Sequence, residues 1–132
     1  MRGLPFGNEI MRILVIDDSR TVRRLLVSYL KDLSIDSAEA GDGKEALEKV
    51  ESDGPFEAAL VDWDMPVMNG LEFVKAVRAR AELAGMKLMM VTAQTSFNSV
   101  TEALAAGADD YLMKPLTRQM LEEKLRLLGL ID

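Results

Sequence analysis

Asp17 and Asp18 follow the apolar run RILVI, Asp62 and Asp64 follow AALV, Thr92 follows KLMMV, and Lys114 follows DYLM. Carboxylates, a hydroxyl and an ammonium thus stand just past short hydrophobic segments, where a buried chain first reaches water. Groups of these types can hold a hard cation, move protons or take part in covalent transfer. The rest of the composition narrows the choice. Cysteine and histidine are both absent, which excludes disulfides, thiolate and imidazole metal ligands, thiol nucleophiles and histidine-dependent triads. The 22 acidic residues outnumber the 16 basic ones, for a net charge of −6, which argues against direct binding to nucleic-acid backbones.

The elements that must position these groups are legible from the hydrophobic period. The 132 residues suit one domain with a sizeable core. The runs 12–16, 58–61, 87–91 and 110–113 are short, rich in Leu, Ile, Val and Met, and bounded by turn or acidic residues. They read as buried strands, with a weaker one over Ile35 to Ala40. Between them the period lengthens. Val22, Leu25, Leu26, Tyr29 and Leu30 draw one helical stripe, Leu71, Val74 and Val77 another, and Phe97, Val100, Thr101, Leu104 and Ala105 a third. Asp42 and Glu45 form a capping-box start for a helix burying Ala46, Leu47 and Val50, and Met120, Leu121, Leu125 and Leu128 mark the last helix. Strand and helix alternate five times, which predicts an α/β fold, a parallel sheet with helices on both faces.

In such a sheet all strand carboxyl ends emerge on one edge, so the acids, Thr92 and Lys114 become neighbours. Adjacent strands lie about 4.8 Å apart, and two carboxylates at about 5 Å repel by roughly 3 kcal/mol at an intermediate effective dielectric. Proton uptake or a divalent cation can offset that repulsion. An all-oxygen site with few protein ligands suits Mg²⁺, which binds one or two carboxylates alongside a phosphate oxygen. A cation beside a lysine and a hydroxyl suits the oxygens of a phosphoryl group. The nucleophile is then a carboxylate, and Asp62, ending a central strand, is the candidate.

The chain resembles a response regulator receiver domain of the stand-alone, CheY-like kind. The likeness covers Met11 to Leu128 and rests on VIDDS, VDWDMPVMNG, VTA and MKP taken jointly. It implies a doubly wound, flavodoxin-like sheet of order 2-1-3-4-5, a family example of that architecture. It also implies that Asp62 is the phospho-acceptor and Asp18 a direct Mg²⁺ ligand, with Asp17 acting through water and the Asp64 backbone carbonyl as a further ligand. Thr92 and Lys114 would bond phosphoryl oxygens. By the same resemblance Tyr111 would take the aromatic switch position, reporting phosphorylation to the surface of the fourth helix, fifth strand and fifth helix. The Lys114–Pro115 bond is expected to be cis. Phosphodonors would be a sensor histidine kinase or a histidine phosphotransfer protein, and output would pass to another protein, as in chemotaxis or a phosphorelay. Catalysis would be limited to the domain's own phosphorylation and dephosphorylation.

Asp64, two residues past the acceptor, and Gln94, two past Thr92, set the chain apart and are expected to tune dephosphorylation. A rival reading takes Asp62 and Asp64 as the D-x-D of a haloacid-dehalogenase-like phosphatase, although that motif should follow the first strand. A third is an interaction module that has lost its switch. Arg20, Arg23, Arg24 and Lys31 give the first helix a basic face, read as solvated ahead of docking. Met65, Met68, Met89 and Met90 read as core filler, and Gly70 as a residue free to take positive φ. Residues 1–10 read as an amino-terminal extension and 11–132 as the receiver domain. No signal peptide or membrane span is apparent, so a cytoplasmic monomer or weak dimer is expected.

Overall fold

The strand Arg12–Ile16 (β1) is an inner strand of the sheet, and its Ile13, Leu14, Val15 and Ile16 are buried on both faces. The computed structural model describes residues 11–93 and 97–132. After β1 come α1 (Arg20–Asp32), β2 (Asp36–Ala40), α2 (Gly43–Asp53), β3 (Ala58–Val61) and α3 (Gly70–Arg78). A 3₁₀ turn at Ala81–Leu83 leads to β4 (Lys87–Thr92), α4 (Phe97–Ala106), β5 (Asp110–Met113) and α5 (Arg118–Leu127). The strands pair in parallel in the order β2-β1-β3-β4-β5. The expected doubly wound sheet is therefore the observed one.

Alternate side chains of each inner strand go to opposite faces. Leu14, Ile16, Ala59, Val61, Leu88 and Met90 pack with Ala46, Phe73, Val74 and Val77, under α2, α3 and α4. Ile13, Val15, Leu60, Met89 and Val91 pack with Leu26, Leu30, Leu121 and Leu125, under α1 and α5. Met65, Met89 and Met90 are buried and Met68 partly so, which fits their reading as core filler.

Helix starts are set by side-chain caps. Ser19 accepts from Val22 N–H, Asp42 from Glu45 N–H and Thr117 from Met120 N–H. Glu45 reaches back to Gly41 N–H rather than to Asp42 itself, so the expected box is displaced by one residue. The complete box belongs to α3, where Asn69 and Glu72 bond each other's backbone N–H.

Five positions differ from the expected stripes. Among the described side chains of α4 the buried one is Ala103, while Thr101, Leu104 and Ala105 are exposed. Ala103 sits in the cluster of Phe73, Val74 and Met90 where α4 packs on α3, and a side chain this small permits that close approach. Leu25 and Met120 flank the buried faces of their helices and stay partly exposed.

Candidate functional site

The backbone continues the sheet's hydrogen bonding one residue past β1 and β3. Asp17 N–H donates to Ala40 O at 3.1 Å and Asp62 N–H to Ile16 O at 2.9 Å. These bonds hold Asp17 and Asp62 side by side at the carboxyl edge. Lys114 N–H donates to Thr92 O at 3.0 Å, which brings the end of β5 beside the end of β4. The Lys114–Pro115 bond is cis, as the resemblance implies.

Asp17, Asp18 and Asp62 each place a carboxylate oxygen within 4.8 Å of the others. Asp17 and Asp62 are buried and Asp18 is exposed. Lys114 Nζ lies 2.6 Å from Asp17 Oδ2 and 3.3 Å from Asp62 Oδ1. Asp17 Oδ1 accepts from Ser19 N–H at 2.8 Å, and Asp62 Oδ1 from Trp63 N–H at 2.9 Å. Both Asp17 oxygens are therefore engaged, whereas the Asp18 carboxylate has no hydrogen-bond partner among the described residues.

Burial, and then the charge of Asp17, push the Asp62 carboxyl up from 3.8 to about 6, with Lys114 and Trp63 N–H opposing in part. For Lys114, burial pulls downward but the hydrogen bond to Asp17 and the charges of Asp62 and Asp17 outweigh it, so its ammonium is held above 10.5. Among the described residues three clustered carboxylates meet one ammonium, and the excess negative charge suits a divalent cation. The donor set is all oxygen and partly open to solvent through Asp18, which fits Mg²⁺ with retained waters.

Thr92 is buried at the end of β4. It lines a narrow apolar cavity with Trp63, Val100, Ala103 and Tyr111, beneath α4. Tyr111 is half-buried, and Lys124 Nζ lies 5.4 Å from its ring centroid while pairing with Asp110 at 2.8 Å. Asp64 is exposed and outside the three-acid cluster, and Gln94 lies outside the described residues. Pro66 and Gly70 shape the loop after Asp62, but Gly70 is not at positive φ. Its need is space, since a Cβ there would overlap the Asp62 carbonyl. Val67, by contrast, is a β-branched residue at φ 69°.

Residues 13–126 match the response regulator receiver domain family. The chain belongs to that family. Chemotaxis protein CheY of Pseudomonas aeruginosa is 41% identical over 116 residues, covering 87% of this chain and 93% of the relative. Chemotaxis protein CheY1 of Helicobacter pylori is 40% identical over 118 residues, covering 89% and 95%. Among solved structures, Vibrio cholerae chemotaxis protein CheY4 superimposes with a TM-score of 0.85 at 34% identity, covering 91% of this chain and 99% of that one. A CheY-like receiver domain protein from Methanospirillum hungatei gives 0.82 at 33% identity, covering 92% and 95%.

The receiver domain is a two-component signalling response regulator, a switch controlled by phosphorylation rather than a conventional enzyme. Receiver domains bind Mg²⁺ at an aspartate cluster of this kind and interact with histidine kinases and downstream targets. The phosphatase alternative has no support, because Asp62 and Asp64 follow the third strand and not the first. No helix among the described residues is long and apolar enough to cross a membrane.

Two contributions were not visible in the residue pattern. Arg23, read as part of a solvated basic face, is only partly exposed and donates to the Asp17 carbonyl at 2.6 Å and to Glu39 Oε1 at 3.0 Å. Lys124 reaches Tyr111 from α5. The i, i+3, i+4 clustering of Arg20, Arg23 and Arg24 signals a charged face, but nothing in that spacing singles out one arginine.

Proposed function

We propose that Asp62 accepts a phosphoryl group from a histidine kinase or histidine phosphotransfer protein, and that the acyl phosphate switches a docking surface for a partner protein. The observation that carries this reading is the buried Asp62 carboxylate, 3.3 Å from Lys114 and clustered with Asp17 and Asp18. An Asp62 oxygen attacks phosphorus, the donor's N–P bond breaks, and the imidazole leaves with the bonding pair. Lys114 and Thr92 bond the equatorial oxygens of the transferred group. Asp18, Asp62 and the Asp64 carbonyl would hold Mg²⁺, with Asp17 acting through water. When bound, the cation offsets the charge of the incoming phosphoryl group.

As Thr92 turns towards the acyl phosphate it vacates space beside Tyr111, and the ring follows, altering the α4, β5 and α5 surface. Asp64 and Gln94 set the lifetime, the carboxylate through its charge and the amide by orienting hydrolytic water. The same residues give the domain its own phosphorylation and dephosphorylation activity. By analogy with the relatives, the partner belongs to a chemotaxis apparatus, and a phosphorelay is the other setting. The receiver spans residues 11–132, with 1–10 as an extension, and works as a cytoplasmic monomer or weak dimer.

Trp63 adjoins Asp62 and supplies the test. Its fluorescence should change on adding Mg²⁺ and again on adding acetyl phosphate or beryllofluoride, and Asp62→Asn should abolish the second change. A second response that persists in Asp62→Asn would move the acceptor elsewhere. Capture on the beryllofluoride form would then identify the partner.

A further inference from the structure

We infer that Arg23 is a positioning residue for the cation site, acting through the peptide that joins Asp17 to Asp18; this rests on the cation reading given above. Side chains on a helix lean towards its amino terminus. Arg23, one turn into α1, therefore reaches back over Ser19 to the strand end. One guanidinium nitrogen donates to the Asp17 carbonyl at 2.6 Å. Nε donates at 3.0 Å to Glu39 on β2, which anchors the group from the far side.

That carbonyl belongs to the peptide unit whose rotation sets the direction of both acids. The Asp17 side chain is already held by Ser19 N–H and Lys114. Asp18 has no such restraint among the described residues, so its carboxylate is placed by its backbone. The Arg23 bond is the side-chain contact that fixes the carbonyl immediately before it. Partners that orient a metal ligand commonly matter to affinity as much as some ligands do.

The charge of Arg23 works in the opposite sense from its hydrogen bond. A guanidinium beside a cation site repels the cation, so removing it should tighten Mg²⁺ binding if charge alone mattered. Positioning predicts the reverse. The two accounts also differ for Glu39, since Arg23→Gln with Glu39→Gln removes one charge of each sign. Charge alone then predicts affinity close to that of the unsubstituted protein.

The experiment is a Mg²⁺ titration of the whole chain followed by Trp63 fluorescence, with unfolding curves confirming that each variant is folded. Arg23→Gln is expected to weaken Mg²⁺ by roughly tenfold, and Arg23→Lys, which keeps the charge but not the fork, by a smaller factor in the same direction. Arg23→Gln combined with Glu39→Gln is expected to match Arg23→Gln alone. Unchanged or tighter binding in Arg23→Gln, or restoration in the double variant, overturns the inference while leaving the cation site standing. Should Arg23→Gln fail to fold, Arg23→Lys decides: affinity equal to that of the unsubstituted chain overturns the inference. Absence of any Mg²⁺ response in the unsubstituted chain, or an undiminished one in Asp18→Asn, overturns the cation reading itself and the inference with it.

Discussion

Gly70 begins α3 directly against the carbonyl of Asp62, so that any β-carbon at position 70 would overlap that oxygen and also come within 3.0 Å of Met90 Cε. Gly70 N–H meanwhile donates to Trp63 O at 2.9 Å, pinning the loop that follows Asp62. The obstacle is backbone, which cannot swing aside as a side chain can. Gly70→Ala is expected to cost about 1–3 kcal/mol of stability and to slow phosphorylation by acetyl phosphate, because Asp62 must shift. Urea unfolding and a Trp63 time course measure the two effects. Stability within about 0.5 kcal/mol of the parent, with an unchanged rate, would show that the loop accommodates the methyl group.

The raised Asp62 carboxyl makes the metal-free domain less stable at neutral pH. Its folded value of about 6 lies above the ordinary 3.8, so between those values the folded chain binds more protons than the unfolded one. Stability from this group is therefore greatest at low pH, falls as pH rises through that window, and the loss is complete above about 6. The shift corresponds to at most about 3 kcal/mol. Urea unfolding in EDTA from pH 4 to 8 should show Asp62→Asn gaining on the parent as pH rises, and a constant difference would contradict the linkage. Protons compete with Mg²⁺ for the same oxygens, so affinity should decline below pH 6.

Lys114 is the cation that these acids possess without metal. Its raised value means that its contribution is fully present below its ordinary 10.5 and is lost as pH rises through the folded value. Lys114→Met leaves the buried Asp17 and Asp62 facing each other, and should cost about 2 kcal/mol in EDTA at pH 7.5, tempered by the partial exposure of the lysine. The same change removes a competitor from Asp17 and Asp62, so Mg²⁺ should bind more tightly and restore more stability than it does in the parent. Calorimetric titration and unfolding with and without Mg²⁺ check both signs, and weaker binding in the variant would refute the competition.

How much of this was legible follows from what each residue's signal contains. The strands Arg12–Ile16, Ala58–Val61 and Asp110–Met113 match the sequence reading residue for residue, because parallel strands are marked by continuous apolar runs. The convergence of Asp17, Asp18, Asp62 and Lys114, with the Thr92 backbone beside Lys114, was deducible from topology alone. The face of α4 was misread because Ala103 earns its central place by being small, a property that hydrophobic periodicity scores weakly. Gly70 was identified as special for a left-handed backbone, whereas close packing is the cause. Arg23 stayed hidden because its role depends on the distance from α1 back to the end of β1.

Val67 holds a conformation that few side chains accept. It sits at φ 69° in the loop after Asp62 and is 76% exposed, so its side chain gains little packing in return. The left-handed region costs an ordinary residue about 1–2 kcal/mol, and more readily admits asparagine. Val67→Asn should therefore stabilise the domain by about 1 kcal/mol, with the Mg²⁺ response of Trp63 unaltered. Unfolding that shows no gain would mean that the loop relaxes around valine.

On the proposal that Asp62 is phosphorylated, Asp64 and Gln94 are expected to bear on how long the acyl phosphate survives. Asp64 is exposed two residues beyond the acceptor and adds a negative charge that resists phosphoryl accumulation unless the cation screens it. Asp64→Asn should raise the phosphorylated fraction reached at a given acetyl phosphate concentration. Gln94 supplies an amide that can orient water, and Gln94→Ala should lengthen the phospho-Asp62 lifetime severalfold, since positioning a nucleophilic water is worth a substantial part of such a barrier. The first effect is read from the amplitude of the Trp63 signal at each acetyl phosphate concentration, and the lifetimes from its decay after the donor is removed. Lifetimes unchanged in both variants would separate these side chains from hydrolysis and leave it to the acceptor, the threonine and the lysine.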